Sequence, residues 1–106
     1  MENKELVRND KGFDLTFTVL DADNVAVNLT GSTIKFKMAL IASATLKVNG
    51  DCTITDPTNG KCKYTVGETD LNTVGTYHAE LEITSSGKII TAPMDDIEVV
   101  ADLPTT

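Results

Sequence analysis

The sequence contains no tryptophan, and aromatic residues make up only 5% of its 106 residues. Aliphatic side chains must therefore fill most of any hydrophobic core. Hydrophobic residues total 41% of the chain, which is enough for one sandwich-sized core but not for two. We therefore expect a single domain over residues 1–106, with its core over residues 6–100 and short tails at both ends.

Basic residues are scarce, because 9 Lys and Arg stand against 16 Asp and Glu and leave a net charge of −7 at pH 7. Nucleic-acid-binding surfaces need clustered Lys and Arg to displace counterions, so we expect no nucleic-acid partner. The charged start, MENKELVRNDKG, is unlike a signal peptide, and no run approaches the roughly 18 apolar residues of a membrane span. We therefore expect no membrane partner and synthesis in the cytosol.

Residues of the common catalytic and metal sites are also few. His78 is the only histidine, and the alternation of its strand places it on the solvent side. The sequence has no Ser-His-Asp arrangement, no glycine-rich phosphate loop and no zinc spacing. Its acidic clusters, at residues 21–23 and 95–96, supply fewer than the about six to eight oxygens of a calcium site. We expect no enzymatic activity, no cofactor and no metal.

The sequence is rich in segments that alternate apolar and polar residues, such as FDLTFTVL, TIKFKMAL and TYHAELEI. A period of two, with one buried and one solvated face, is typical of antiparallel sheets. Turns containing Asn-Gly, Pro or Gly separate these segments. The pattern predicts an all-β, Ig-like antiparallel β-sandwich of about seven strands, over residues 13–20, 33–40, 44–49, 51–56, 61–67, 75–84 and 88–100.

Two stretches leave the strand assignment less simple. Residues 38–46, MALIASATL, contain good helix formers, and a single helical turn is an alternative there. Pro93 interrupts the last predicted strand, which we therefore expect to be an edge strand or to bulge at that point.

The stretch TDLNTVGTYHAELEI, residues 69–83, leads into the sixth predicted strand. Immunoglobulin-like sandwiches often carry a tyrosine at this corner, and its hydroxyl bonds back to nearby backbone. The residues that resemble this structural corner are Asp70, Leu71, Gly75 and Tyr77. Gly75 would permit the turn, Leu71 would fill the corner from below, and Tyr77 would bury its ring while donating to a corner carbonyl.

The resemblance to antibody domains stops two residues after the tyrosine. Those domains have a cysteine there, paired to a cysteine on the second strand. This chain has Ala79, and we expect Phe36 on the second strand to fill the facing place without a covalent bond. The sequence therefore predicts a sandwich of the kind that lacks the disulfide between its sheets.

Cys52 and Cys62 flank the turn DPTNG, residues 56–60. Symmetric pairing across this turn puts the two cysteines roughly opposite each other. One interpretation is a pair of reduced, buried thiols that pack as small hydrophobic side chains. The other is a cross-strand disulfide that closes after release into an oxidising setting.

Two groups of apolar residues lie outside the inward pattern. Leu6 and Val7 precede the first predicted strand, and Val100 and Leu103 fall near the C-terminus. Isolated exposed apolar residues are normal in proteins. Two groups near the chain ends could instead form a self-association surface or a strand-pairing edge, so these four are candidate interface residues.

Two long segments carry a resemblance to a known family. NDKGFDLTFTVLDADNVAVNLTGSTIKFKMA and VGTYHAELEITSSGKIITAPMDDIEVV resemble the N-terminal Ig-like domain of phage baseplate upper proteins. The resemblance runs from about Leu6 to Val100. It implies a structural and docking module without enzymatic activity. Longer family members continue into coils and receptor-binding parts, whereas this sequence stops at Thr106, so we expect a module that joins virion proteins rather than one that recognises the host.

The resemblance implies a virion structural protein, a docking or decoration module in the baseplate, tail, fibre base or capsid. Its implied partners are other virion proteins, together with copies of itself in a trimer or hexamer. The alternative is a carbohydrate- or cell-surface-binding sandwich, which usually presents exposed Trp or Tyr rings. The chain has no Trp, and the alternation turns both Tyr64 and Tyr77 inward.

Overall fold

The computed structural model describes residues 4–43 and 45–102, and within them the chain forms nine strands and one short 3-10 turn. The strands are β1 (Lys4–Val7), β2 (Asp14–Thr18), β3 (Thr33–Leu40), β4 (Leu46–Asp51), β5 (Thr53–Asp56), β6 (Lys61–Thr65), β7 (Gly75–Ser85), β8 (Lys88–Pro93) and β9 (Ile97–Val100). The 3-10 turn, Pro57–Asn59, lies in the connection between β5 and β6.

The strands form two sheets that pack as a sandwich. The larger sheet has the order β1-β9-β7-β3-β4. β8, which precedes β9 in the sequence, also pairs with β7. The smaller sheet has the order β2-β6-β5. Because β4 and β5 follow each other directly yet belong to different sheets, the chain crosses between the sheets there and closes one side of the sandwich. The other side lies between β2 and the pair β8 and β9.

Alternate side chains of both sheets meet in one hydrophobic cluster between them. The larger sheet contributes the inward residues of β3, β7 and β9, and the smaller sheet contributes those of β2 and β6. The bulkiest members that are almost fully buried are Tyr77, Phe36, Leu29, Ile34, Met38, Leu71, Ile97 and Val99. The predicted all-β sandwich is confirmed, and the period of two assigns the inward faces of these strands correctly.

The edge of the larger sheet differs from the prediction in two respects. Residues 4–7, placed before the first predicted strand, form β1, which runs parallel to β9 with Leu6 beside Val99 and Val7 beside Val100. The predicted strand 88–100 is divided into β8 and β9. β8 ends at Pro93, whose nitrogen carries no hydrogen for a sheet, and pairing resumes at Ile97.

Two finer expectations are wrong. Phe36 and Ala79 do not face each other across the sandwich, because β3 and β7 are neighbours in one sheet, where Ala79 lies opposite Met38 and Phe36 opposite Leu81. The helical turn considered for residues 38–46 is absent from the described part of that stretch. There β3 continues to Leu40, residues 41–43 form a turn, and β4 begins at Leu46.

Candidate functional site

The corner before β7 is organised around Tyr77. Its side chain is 1% exposed, and its hydroxyl donates a hydrogen bond to the backbone carbonyl of Thr73 at 2.7 Å. This bond spans four residues and ties the loop to the start of β7. Burial raises the pKa of the Tyr77 phenol, because a phenolate would lose its hydration in this place. How far the bond stabilises the corner remains a prediction.

Gly75 and Leu71 shape the rest of this corner. Gly75 has φ +156°, and a Cβ atom there would lie 2.6 Å from Cδ1 of Leu40, so the backbone runs close to a core side chain. Leu71 is 2% exposed, and its carbonyl accepts a hydrogen bond from the N–H of Asn9 at 2.9 Å. The corner thus contacts both the core and the connection that leads to β2.

Asp70 makes contacts that sequence reasoning did not anticipate. Its carboxylate accepts hydrogen bonds from the hydroxyl of Tyr64 and from the N–H of Gly67 at 2.8 Å. Burial, and then the adjacent Asp70 carboxylate, raise the pKa of Tyr64. The Tyr64 ring stacks on Phe36 with 5.0 Å between ring centroids, so this pair connects the loop after β6 to the core.

Both tyrosines of the chain are therefore engaged inside the sandwich. Neither ring forms an exposed platform of the kind that sugar-binding sandwiches use. The alternative of a carbohydrate-binding module gains no support from these two residues.

Cys52 and Cys62 are both free thiols, the first half-buried and the second buried. They are not directly opposite each other, because the register of β5 and β6 places Ile54 opposite Cys62. The neighbouring Cys62 side chain, and then burial, raise the pKa of Cys52. A protonated, half-buried thiol is a weak nucleophile, so the surroundings of Cys52 favour a packing role for that residue.

The candidate interface residues lie at the outer edge of the larger sheet. Leu6 points inward and packs against the core, whereas Val7 is 38% exposed and lies beside Val100 in the register of β1 and β9. Leu103 lies outside the described residues. An interface role for these residues remains a prediction.

A groove that sequence reasoning missed lies on the side of the sandwich that the β4–β5 crossing does not close. We call it the open-side groove; its volume is about 520 Å³, and it lies between residues 16–20 on one wall and residues 92–95 on the other, with Leu81 and Ile97 beneath. No sequence signal marks it, because it depends on which strand edges remain unpaired in the fold.

The polar side chains form pairs rather than a catalytic cluster in the described structure. Nδ1 of His78 lies 2.8 Å from Oδ1 of Asp96 at the surface. Lys37 and Glu82 form an ion pair at 2.8 Å across β3 and β7. Within residues 4–43 and 45–102, no three His, Cys, Asp or Glu side chains converge as a metal site would require. No helix of this part of the chain has the length and apolar character to cross a membrane.

Comparison with known proteins assigns the sandwich to a family. The structure is similar to the N-terminal domain of phage TP901-1 ORF48, with a TM-score of 0.67 and 15% sequence identity over 96% of this chain and 86% of that chain. No curated protein matches the sequence. The family model of the BppU N-terminal domain, the first domain of the phage baseplate upper protein and a structural part of the virion, matches residues 6–103. The chain therefore belongs to the BppU N-terminal domain family.

Proposed function

We propose that this chain is a docking module of the phage baseplate that holds other virion proteins in place. The observation that carries the proposal is the family match, which spans residues 6–103 and therefore nearly every residue of the sandwich. A structural role in the virion follows from the family, which is one of baseplate structural domains and is not known for enzymatic activity. The proposal adds that the sandwich surface itself binds the neighbouring proteins.

The charges and contacts of the described residues support a binding role. Several polar side chains of the described residues form pairs, such as Lys37 with Glu82. The surface retains several exposed aliphatic residues, including Leu20, Val25, Ile89 and Ile90. Exposed apolar side chains beside a strand edge are typical of surfaces that other proteins cover. Copies of the chain in a trimer or hexamer are part of the proposal, since baseplate parts are built with such symmetry.

The test is the association of the chain with particles. Virions from a strain that encodes the chain are purified on a density gradient, and the chain is quantified by mass spectrometry against a major tail protein. We expect a constant ratio of the two proteins across the particle fractions. An abundant host cytosolic protein serves as the carry-over control. A chain that follows this host protein instead of the particles would contradict the proposal.

Light scattering behind a sizing column then measures the mass of the purified chain. A stable trimer or hexamer supports a baseplate ring or fibre base, whereas a monomer supports a module that becomes ordered on a pre-formed particle. Specific binding on a glycan array, with no association with particles, would favour the carbohydrate-binding alternative.

A further inference from the structure

β2 forms one wall of the open-side groove, and the edge of this strand that faces away from β6 is unpaired. The N–H of Val66 donates to the carbonyl of Phe13 at 2.9 Å, which shows that the odd-numbered residues of this segment turn their backbone groups toward β6. Antiparallel ladders alternate, so Asp14, Thr16 and Thr18 turn their N–H and C=O groups the other way. Within the described ranges no strand pairs with that edge, which therefore offers donors and acceptors to a further strand.

The opposite wall is a poorer partner for a strand. The N–H of Met94 donates to the carbonyl of Ala79 at 3.0 Å, so the same alternation turns the backbone groups of Ile89, Thr91 and Pro93 away from β7. Pro93 has no N–H, and it lies where the groove begins. A guest strand in the groove would therefore take its backbone hydrogen bonds from β2.

The floor of the groove is apolar. Leu81 and Ile97 are almost fully buried beneath it, and Ala92 and Met94 are partly buried at its wall. Successive side chains of a strand point to opposite faces, so every second residue of a guest strand would reach this floor. The fitting occupant is an extended segment with small or medium apolar side chains at alternate positions.

The charges around the groove indicate what flanks that segment. Asp95 is the only charged residue among those that line it. Leu20 lines the groove, Asp21 follows it directly and Asp23 comes two residues later, so acidic residues flank this rim in the chain, and the whole chain carries a net charge of −7. Lys or Arg at the ends of the segment would be attracted to this rim, whereas an acidic segment of a second copy would be disfavoured in the groove itself.

We propose that the open-side groove binds an extended, basic-flanked segment of another virion protein, which adds as a fourth strand beside β2. Main-chain hydrogen bonds to Thr16 and Thr18 supply affinity, and the apolar floor supplies selectivity for alternate side chains. This inference names the surface by which the proposed docking function operates and rests on that function.

The test is a selection from a displayed library of random peptides of about nine residues, the length of a long strand. Enriched peptides are synthesised and measured by fluorescence polarisation against the full chain. Thr16→Pro removes a free-edge N–H on β2 and leaves the bonds to β6 intact. Its matched control is Thr91→Pro, which alters another exposed threonine, at an outward-turned position of β8. Circular dichroism and melting temperature establish that both variants are folded.

We expect the selection to enrich peptides with apolar residues at alternate positions and Lys or Arg at their ends. Their affinity for Thr16→Pro should be about tenfold or more below their affinity for the unchanged chain, because a backbone hydrogen bond is lost and the proline ring intrudes. The affinity of Thr91→Pro for these peptides should lie within about twofold of that of the unchanged chain, because residues at the rim of an interface contribute little to affinity. If Thr16→Pro does not fold, the alternative measurement is the change in backbone amide NMR shifts of the unchanged chain when peptide is added. These changes should cluster at residues 14–20.

Four outcomes with the purified chain overturn the inference: no enriched peptide family, equal binding by Thr16→Pro, loss of binding in Thr91→Pro alone, or a dimer of the unchanged chain that Thr16→Pro abolishes. Particle association separates this inference from the proposed function. If Thr16→Pro enters particles as efficiently as the unchanged chain does, the groove proposal is wrong and the docking role stands. If the unchanged chain is absent from particles, the docking role fails.

Discussion

Replacing Tyr77 by phenylalanine isolates the contribution of one hydrogen bond to the corner. The ring stays in the core, where it is 1% exposed, and only the bond from its hydroxyl to the Thr73 carbonyl at 2.7 Å is removed. A buried carbonyl left without a donor costs about 1–3 kcal/mol. Thr73 is an exposed residue and the bond is only partly buried, so we expect a loss near the lower limit, about 1 kcal/mol.

Urea denaturation followed by circular dichroism measures this loss as a lower midpoint at unchanged slope. In a chain of this size it corresponds to a melting temperature lower by about 4–8 °C. Thr73→Ala is the matched control, because it keeps the accepting carbonyl and removes only a methyl group and a hydroxyl that bonds to Asn72 at the surface. We expect the control to change the free energy of unfolding by less than about 0.5 kcal/mol. A Tyr77→Phe variant as stable as the unchanged chain would refute the corner argument.

Three further predictions concern the same region of the sandwich. Tyr64 and Tyr77 have a raised pKa in the folded chain, above the ordinary value of 10.0. The free energy of unfolding should therefore be highest at pH below 10.0 and fall at higher pH, because the unfolded chain loses its phenol protons first. Absorbance at 295 nm should show phenolate appearing at higher pH in the folded chain than in urea, and Tyr64→Phe should weaken the alkaline loss of stability; coincident titrations would contradict this. Gly75→Ala should cost about 2 kcal/mol or more through its unusual φ and the contact with Leu40. The control is Gly87→Ala, which also strains the backbone because Gly87 has φ +81°, but whose added Cβ meets nothing within 4 Å; equal losses would remove the packing argument. Thiol alkylation at pH 8 should be slow in the folded chain and fast in urea, since Cys52 is half-buried with a raised pKa; a mass 2 Da lower in chains taken from virions would instead show a disulfide.

Much of the fold follows from local pattern. The alternation in β2, β3 and β7 identifies which side chains are buried, because a strand with one solvated face must place its apolar residues at every second position. The turn at residues 85–88 and the break at Pro93 are also visible, because Gly and Pro restrict the backbone directly. These features depend on neighbours in the chain, and the sequence displays them.

Pairing between distant segments is not visible in the same way. β1 has only four residues, of which Lys4 and Glu5 are charged, and it gains its strand character only from contact with β9 near the other end of the chain. The prediction that Phe36 and Ala79 face each other was wrong for the same reason, because alternation identifies the buried face of a strand but not the strand that lies beside it. The groove and the bond between Tyr64 and Asp70 depend on this global arrangement as well.

The parallel pairing of β1 with β9 has a mechanical consequence. The two strands run side by side in the same direction, so the chain enters the pair beside Ile97 and leaves it beyond Val100 at the opposite end. Tension between the two ends of the chain therefore pulls these strands lengthwise past each other and loads their hydrogen bonds together instead of one after another. The bond from the N–H of Arg8 to the carbonyl of Val100 at 2.8 Å and the ion pair of Arg8 with Asp102 at 2.7 Å lie in the same line of force. A sandwich fastened in this manner resists stretching at the seam where its two ends meet.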